Sequence, residues 1–78
     1  MTKYERRAEA IWELQRACQR FGLHVEELTP YQFRVMGALD IYPTTRKYHY
    51  FEVGQDRGKY ATAESVLRRF FPGACHGK

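Results

Sequence analysis

The chain has 78 residues, with 13 lysines and arginines against 9 aspartates and glutamates, which gives a formal net charge of +4. This length predicts a single domain, residues 1–78, with residues 1–2 and 73–78 as loose ends. No apolar run approaches the ~18 residues that a membrane-spanning helix needs, and the first residues lack the apolar segment of a signal peptide. We therefore expect a cytoplasmic protein that makes no membrane contact.

The charge surplus is compatible with a nucleic-acid partner or an acidic protein partner. Acidic and basic residues are mixed along the chain, however, and no basic block occurs. A soluble surface with a mild positive surplus explains the same composition. Composition alone therefore leaves the class of partner open.

Residues 3–21 predict an amphipathic helix, because apolar side chains recur at helical spacing. Thr2 is placed to cap its first turn, and Gly22 fits the left-handed position that follows its last turn. Trp12 lies at the edge of the apolar arc, where it either covers the rim of the core or forms a contact for a partner. The apolar arc consists of Tyr4, Ala8, Ile11, Leu14, Cys18 and Phe21.

The chain has two cysteines, Cys18 and Cys75. Cys18 belongs to the apolar arc, which predicts a buried thiol. The spacing of cysteines and histidines matches no zinc motif, so we expect no metal and no cofactor. A Cys18–Cys75 disulfide, or a metal site that uses His24 or His49, is the less favoured alternative.

A first strand is predicted over residues 31–36, where apolar and polar side chains alternate. A three-residue loop over residues 36–38 then places Val35 opposite Leu39, and Arg34 opposite Asp40, in an antiparallel hairpin. Residues directly opposite each other share a face of the sheet, so this register puts the apolar pair on one face and the charged pair on the other. A two-residue loop would place an apolar residue opposite a charged one, so we reject it. The same register pairs Phe33 with Ile41 and Gln32 with Tyr42.

The next corner begins at Pro43, which ends the second strand because it has no N–H for the ladder. A loop of five residues, 43–47, then predicts a third strand with Tyr48 opposite Tyr42 and Tyr50 opposite Asp40. In this register both tyrosines of the third strand face away from the core. The core side of the strand would carry His49, Phe51 and Val53.

Residues 54–58 predict a loop, and Thr62 is a fair N-cap for a short helix over residues 63–71. The predicted fold is α+β with the order α-β-β-β-α. It has a three-stranded antiparallel sheet with both helices packed on one face, which leaves the other face open.

The open sheet face is the candidate binding site. Tyrosine and arginine are favoured in recognition surfaces, and tyrosines beside basic residues also suit stacked nucleic-acid bases. The alternative interpretation is that tyrosine is simply a good strand former. The predicted site consists of Gln32, Arg34, Asp40, Tyr42, Tyr48 and Tyr50 on the strands, Arg46 and Lys47 at the corner, and Arg57 and Lys59 in the following loop.

A second candidate site is the Arg57-Gly58-Lys59 stretch before the last helix, whose first N–H groups could meet a phosphate. An ordinary polar loop is the favoured interpretation there. The chain has no Ser/His/Asp arrangement, no Gly-rich phosphate loop and no carboxylate pair placed for acid–base chemistry. We therefore expect a protein that is not an enzyme.

Residues 39–48, Leu-Asp-Ile-Tyr-Pro-Thr-Thr-Arg-Lys-Tyr, followed by Arg57-Gly58, resemble a pattern in many small phage-encoded proteins. In that pattern an Asp-x-aromatic-Pro-Ser/Thr strand and corner precede a basic-aromatic strand and an Arg-Gly. The resemblance covers residues 33–59 and implies an origin in a phage or mobile element. Small phage proteins of this kind include anti-CRISPR inhibitors, which bind a host effector and block DNA recognition or cleavage.

The predicted order of helix, three strands and helix is also similar to that of the double-stranded RNA-binding domain. Lys59, just before the last helix, matches the basic helix start of that fold. The last helix lacks the Lys-Lys pair found there. This resemblance therefore implies a topology and not an RNA site.

The leading functional hypothesis is a phage protein that inhibits a host machine, in the manner of an anti-CRISPR protein. It would act in the host cytoplasm by occupying the surface of a host protein or ribonucleoprotein effector complex. The alternative is direct binding of DNA or RNA through the same basic and aromatic surface. A homodimer formed through the open face is compatible with both hypotheses.

Overall fold

A computed structural model describes residues 2–52 and 54–75 of the chain, with Lys3 and Tyr4 described by their backbone only. The predicted core position of Val53 lies outside the described residues. The elements are α1 (Lys3–Phe21), β1 (Val25–Thr29), β2 (Gln32–Val35), β3 (Leu39–Tyr42), β4 (Lys47–Tyr50), β5 (Asp56–Lys59), α2 (Ala63–Phe70) and α3 (Pro72–Cys75).

The first helix, α1, begins and ends as its sequence predicts. The Thr2 hydroxyl accepts a hydrogen bond from the Glu5 N–H at 3.2 Å, which satisfies one of the free donors of the first turn. Gly22 adopts a left-handed conformation with φ of 69°, which glycine takes without steric cost. Leu14 and Cys18 are fully buried on the inner face, whereas Ala8, predicted to lie on the apolar arc, is exposed.

The sheet is antiparallel and has five strands in the order β1-β2-β3-β4-β5, whereas the sequence predicted three. The two additional strands, β1 and β5, form the edges. Their side chains are mostly exposed, so neither carries the apolar alternation by which a strand is recognised. Glycine inside β5 and charged residues along both strands also favour a loop prediction.

The hairpin between β2 and β3 has the predicted register. Val35 pairs with Leu39 and Arg34 with Asp40, across a turn in which Gly37 has φ of 69°. The Ala38 N–H donates to the Val35 carbonyl at 3.1 Å and closes this turn. The three-residue loop is thereby confirmed.

The hairpin between β3 and β4 differs from the prediction by one residue. Its turn has four residues, 43–46, and Arg46 ends it with φ of 55°. Tyr42 therefore pairs with Lys47, and Ile41 pairs with Tyr48. Because successive strand residues point to opposite faces, this single shift moves every side chain of β4 to the face opposite the predicted one.

The core lies between the helices and one face of the sheet, so the prediction that both helices pack on one face is confirmed. Tyr48 is buried there, and Tyr50 stacks on Phe70 of α2 with 4.4 Å between ring centroids. The chain end contributes too: α3, predicted as part of a loose end, places Cys75 in the core at 1% exposure. Residues 76–78 lie outside the described part.

The five-stranded meander also departs from the order of helix, three strands and helix on which the likeness to double-stranded RNA-binding domains was based. The α+β class and the antiparallel pairing are as expected. None of the helices described is both long enough and apolar enough to cross a membrane.

Candidate functional site

The open face is the side of the sheet away from the helices, and cross-strand pairing arranges its side chains in two rows. Seven of the ten predicted site residues lie on it, and three do not. The first row is Glu26, Arg34, Asp40, His49 and Arg57. The second row is Gln32, Tyr42, Lys47 and Lys59. The three predicted residues that lie elsewhere are Arg46, Tyr48 and Tyr50.

The centre of the open face is a carboxylate held by two neighbours. Arg34 donates from Nε to Asp40 Oδ1 at 2.8 Å and from Nη2 to Oδ2 at 3.2 Å, and Gln32 donates from Nε2 to Oδ2 at 2.8 Å. Asp40 is only 4% exposed. Hydrogen bonding to Asp40 raises the pKa of the Arg34 guanidinium. Asp40 is thus fully engaged as an acceptor, and the pair organises the face instead of offering a free acid or base.

Two aromatic residues predicted for the core lie instead beside this pair. The Phe51 ring has the Arg34 guanidinium carbon 5.0 Å from its centroid, and the His49 ring meets it edge-on at 5.8 Å. The Nε2 atom of His49 is buried and has no hydrogen-bond partner. The one-residue shift of β4 therefore replaces the predicted tyrosines with an imidazole and a phenyl ring.

Beside this cluster the open face has a depression of about 670 Å³. Three cationic side chains line it: Lys47, Arg57 and Lys59. No carboxylate among the described residues lies within salt-bridge distance of any of the three. The depression is also lined by Tyr42, Thr45, Tyr48, His49 and Gly58. The depression therefore combines uncompensated positive charge with flat rings.

Tyr48 lies under β5, where its hydroxyl joins an internal network. Arg69 Nη1 donates to the Tyr48 hydroxyl at 2.8 Å, and that hydroxyl lies 3.3 Å from Asp56 Oδ1. Gly58 faces Tyr48 across the strands, and a Cβ atom there would lie 3.2 Å from the hydroxyl oxygen. The glycine thus makes room for the ring. This explains Gly58 structurally. Tyr48 lines the depression but is only 6% exposed, because its ring packs on the helix-covered face.

Arg46 also points away from the open face. Its Nη1 donates to the Ala61 carbonyl at 2.9 Å and lies 3.6 Å from Glu13 Oε1. Glu13 in turn accepts a hydrogen bond from the Ala63 N–H at 2.7 Å, at the start of α2. Arg46 therefore joins the β3–β4 corner to the helices and has no part in the depression.

The start of α2, the second predicted site, has its donors occupied. Glu13 takes the Ala63 N–H, and the Thr62 hydroxyl accepts from the Ser65 N–H at 3.1 Å within a capping box. A carboxylate at this position also satisfies the helix dipole. Arg57, Gly58 and Lys59 belong to β5, so a phosphate site at this helix start is not supported.

The cysteines and histidines do not assemble a metal site within the described residues, since no group of three His, Cys, Asp or Glu side chains occurs there. Cys18 and Cys75 are unbonded and buried. Burial, with a smaller contribution from Cys75, raises the pKa of the Cys18 thiol to about 12. A thiol with so high a pKa is a poor nucleophile, so these residues act as core side chains.

A separate aromatic residue lies exposed on the helical side. Trp12 is 57% exposed, and the Arg16 guanidinium carbon lies 4.9 Å from its ring centroid. Trp12 is therefore largely exposed and does not cover the rim of the core, while a partner contact at this residue stays a prediction. Exposed tryptophan with arginine is the composition that protein interfaces favour.

Comparison with protein-family models, with curated proteins and with solved structures finds no match to this chain. The resemblances of residues 33–59 to phage proteins therefore stay predictions.

Proposed function

We propose that this protein is a non-enzymatic binding protein that holds nucleic acid on its open face. The observation that carries the proposal is the group of three cations without carboxylate partners, Lys47, Arg57 and Lys59, around one depression. Phosphate contacts by such side chains supply most of the affinity in non-specific nucleic-acid binding. Tyr42 and His49 add rings to the same wall.

The distribution of charge over the molecule supports this choice of surface. All five arginines that form a described ion pair lie outside the depression. Arg20 and Arg68 share Glu64, and Arg69 pairs with Asp56. Among the described residues, Arg6, Arg7 and Arg16 on α1 also form no ion pair, so the positive surplus is divided between α1 and the group of Lys47, Arg57 and Lys59. A cluster of like charges without partners is unfavourable to the fold unless an anionic ligand balances it.

The test is a titration of short DNA and RNA, single-stranded and duplex, at several salt concentrations. Each phosphate contact contributes ~0.7 to the logarithmic salt slope for a single strand and ~0.9 for a duplex, so three contacts contribute about 2 to 3. The triple variant Lys47→Gln, Arg57→Gln, Lys59→Gln should lose that part of the slope. The matched control, Arg16→Gln, Arg20→Gln, Arg68→Gln, removes the same charge from the helical side.

Two results would contradict the proposal. Absence of binding at low salt would exclude nucleic acid as the ligand. An equal loss of affinity in both triple variants would mean that only net charge matters and that the open face has no particular role. Thermal unfolding of both variants checks that each remains folded, since all six side chains are exposed.

We propose, as a second candidate, an inhibitor of a host effector complex that resembles anti-CRISPR proteins in its action. The observation that favours it is Trp12, which is 57% exposed and stacked under Arg16 on the side away from the open face. A nucleic-acid face and a protein-binding residue on opposite sides of one small domain suit a protein that blocks a ribonucleoprotein.

This second candidate is tested with purified CRISPR effector complexes of several types, by measuring binding and inhibition of cleavage. Trp12→Ala should weaken effector binding about 30-fold, because truncation of an interface hot spot costs about 2 kcal/mol or more. Gln15→Ala, also exposed on α1, is the control. Failure to bind or inhibit every effector tried would remove this candidate without touching the first.

A further inference from the structure

We infer that the open face takes a single strand of nucleic acid, with one unstacked base inserted between the rings of Tyr42 and His49. The inference rests on the proposed function and adds the form of the ligand and the residues that select it. It would make Tyr42 and His49 specificity-determining residues, and Lys47, Arg57 and Lys59 the residues that supply affinity.

The pairing of β3 with β4 places Tyr42 and His49 on the same face of the sheet. Tyr42 pairs with Lys47, so His49 is its diagonal neighbour on the same face. Diagonal neighbours in an antiparallel pair lie about 7–8 Å apart. A base stacked on both rings would need the rings about 7 Å apart, and aromatic side chains attached at this spacing are long enough to reach such positions. Both side chains line the one depression, so the space between them opens to the ligand.

Each ring has a surface left for stacking. The Tyr42 ring makes no aromatic or cation–π contact with any described residue. His49 meets Phe51 edge-on, with 71° between the ring planes, and is half-buried. Its Nε2 atom is buried, so the imidazole offers the ligand a ring face and not that nitrogen.

The cations lie on one side of the space between the Tyr42 and His49 rings, which we call the base slot. Lys59 is the partner of Lys47, and Arg57 is the partner of His49, so both β5 cations lie beyond β4 as seen from Tyr42. A strand whose phosphates follow β5 would direct its bases across β4 towards β3. Two residues along a strand span about 6.6–6.8 Å, which sets the spacing of the two β5 cations along that path.

This arrangement selects against duplexes. In a duplex each base is paired and stacked on its neighbours, so inserting it between two protein rings requires that it first be unstacked. A single strand presents bases that are free to stack on aromatic side chains. The depression, at about 670 Å³, is within the range of ligand pockets and has room for one nucleotide unit.

The experiment compares three ligands at one salt concentration: a single-stranded oligonucleotide, the duplex of the same sequence, and the free mononucleotide. We expect the single strand to bind about tenfold more tightly than the duplex, since stacking of one base supplies roughly that factor. The mononucleotide should bind far more weakly, because it meets fewer of the cations.

Ring variants separate stacking from charge. Tyr42→Leu and His49→Leu should each lower affinity for the single strand about tenfold and leave duplex affinity and the salt slope unchanged. Tyr42→Phe and His49→Phe keep a ring at each position and should bind the single strand like the original protein. Circular dichroism of every variant confirms that the fold is kept.

Three outcomes overturn the inference, and each differs from failure of the proposed function. Equal affinity for single strand and duplex removes strand selection, and unchanged binding by both leucine variants removes the base slot. A mononucleotide that binds as tightly as the oligonucleotide shows that the strand beyond one nucleotide adds nothing to binding. In all three cases the triple charge variant would still lose binding if the proposed function holds. If the protein binds no nucleic acid at all, the proposed function itself fails.

Discussion

The two faces of the sheet differ in how the charged side chains near β5 are paired. On the helix-covered face, Arg69 donates hydrogen bonds to the Tyr48 hydroxyl and to the Asp56 carboxylate. On the open face, Lys47 and its β5 neighbours have no carboxylate partner among the described residues. The difference indicates that the covered face is built for stability, while the open face keeps unmatched charge that a ligand can use.

The largest expected effect comes from the covered face. Phe33→Ala removes a ring that is 2% exposed in the centre of the core, and should lower the free energy of unfolding by about 3–5 kcal/mol. Lys47→Ala on the open face is the control and should change it by less than about 0.5 kcal/mol. Urea unfolding measures both. Similar losses of unfolding free energy in the two variants would contradict the claim that the covered face supplies most of the stability.

Gly58→Ala tests how tightly the covered face is packed beneath β5. The new methyl group would lie 3.2 Å from the Tyr48 hydroxyl oxygen, which Arg69 holds in place. We expect a loss of about 1–2 kcal/mol in unfolding free energy, as for other overpacked sites. Tyr48→Phe in the same chain removes the hydroxyl and should recover part of the loss. Strictly additive losses in the double variant would contradict this explanation.

His49→Phe tests the one buried side-chain nitrogen or oxygen atom that lacks a hydrogen-bond partner in the described part of the chain. A buried nitrogen without a hydrogen bond costs about 1–3 kcal/mol, and a phenyl ring at this position has no such atom. The substitution should therefore raise the unfolding free energy by about 1 kcal/mol. His49→Gln, which retains polar atoms, should not. Thermal and urea unfolding distinguish the two, and a destabilised phenylalanine variant would show that the ring nitrogen has a stabilising role.

The smallest effect concerns pH and lies on the helical surface. A hydrogen bond from Arg68 lowers the pKa of Glu64 below its usual value of 4.5. Its contribution to stability is therefore present above pH 4.5 and is lost as the pH falls through the lower pKa of the folded state. Glu64→Gln should flatten the fall in thermal midpoint between pH 5 and pH 3 slightly. An unchanged profile would mean that other carboxylates account for the acid sensitivity.

Local chemistry was enough to predict the first helix and the first hairpin. Thr2 and Gly22 mark the ends of α1. In the β2–β3 hairpin only one register pairs apolar with apolar residues and Arg34 with Asp40, so parity alone chooses it. The central pair of the open face followed directly from that register.

The same parity argument could not place β4. Tyr48, His49, Tyr50 and Phe51 are all aromatic, so either set of alternate residues forms an acceptable core face. Packing against α2 determines which face Tyr48 and Tyr50 occupy. The Phe70 ring centroid lies 5.3 Å from that of Tyr48 and 4.4 Å from that of Tyr50. No local rule connects these residues, which are about twenty positions apart.

The sequence by itself therefore determined the α+β class, α1, and the Arg34–Asp40 hairpin, because each depends on residues that are close in the chain. Only the tertiary structure decided that β1 and β5 extend the sheet, and that β4 turns its tyrosines inward. Edge strands are held by backbone hydrogen bonds to a neighbour and need no apolar pattern of their own. An aromatic strand takes the face on which distant rings can pack against it. As a result, the open face carries Tyr42, His49 and three cations without carboxylate partners instead of the predicted set of three tyrosines.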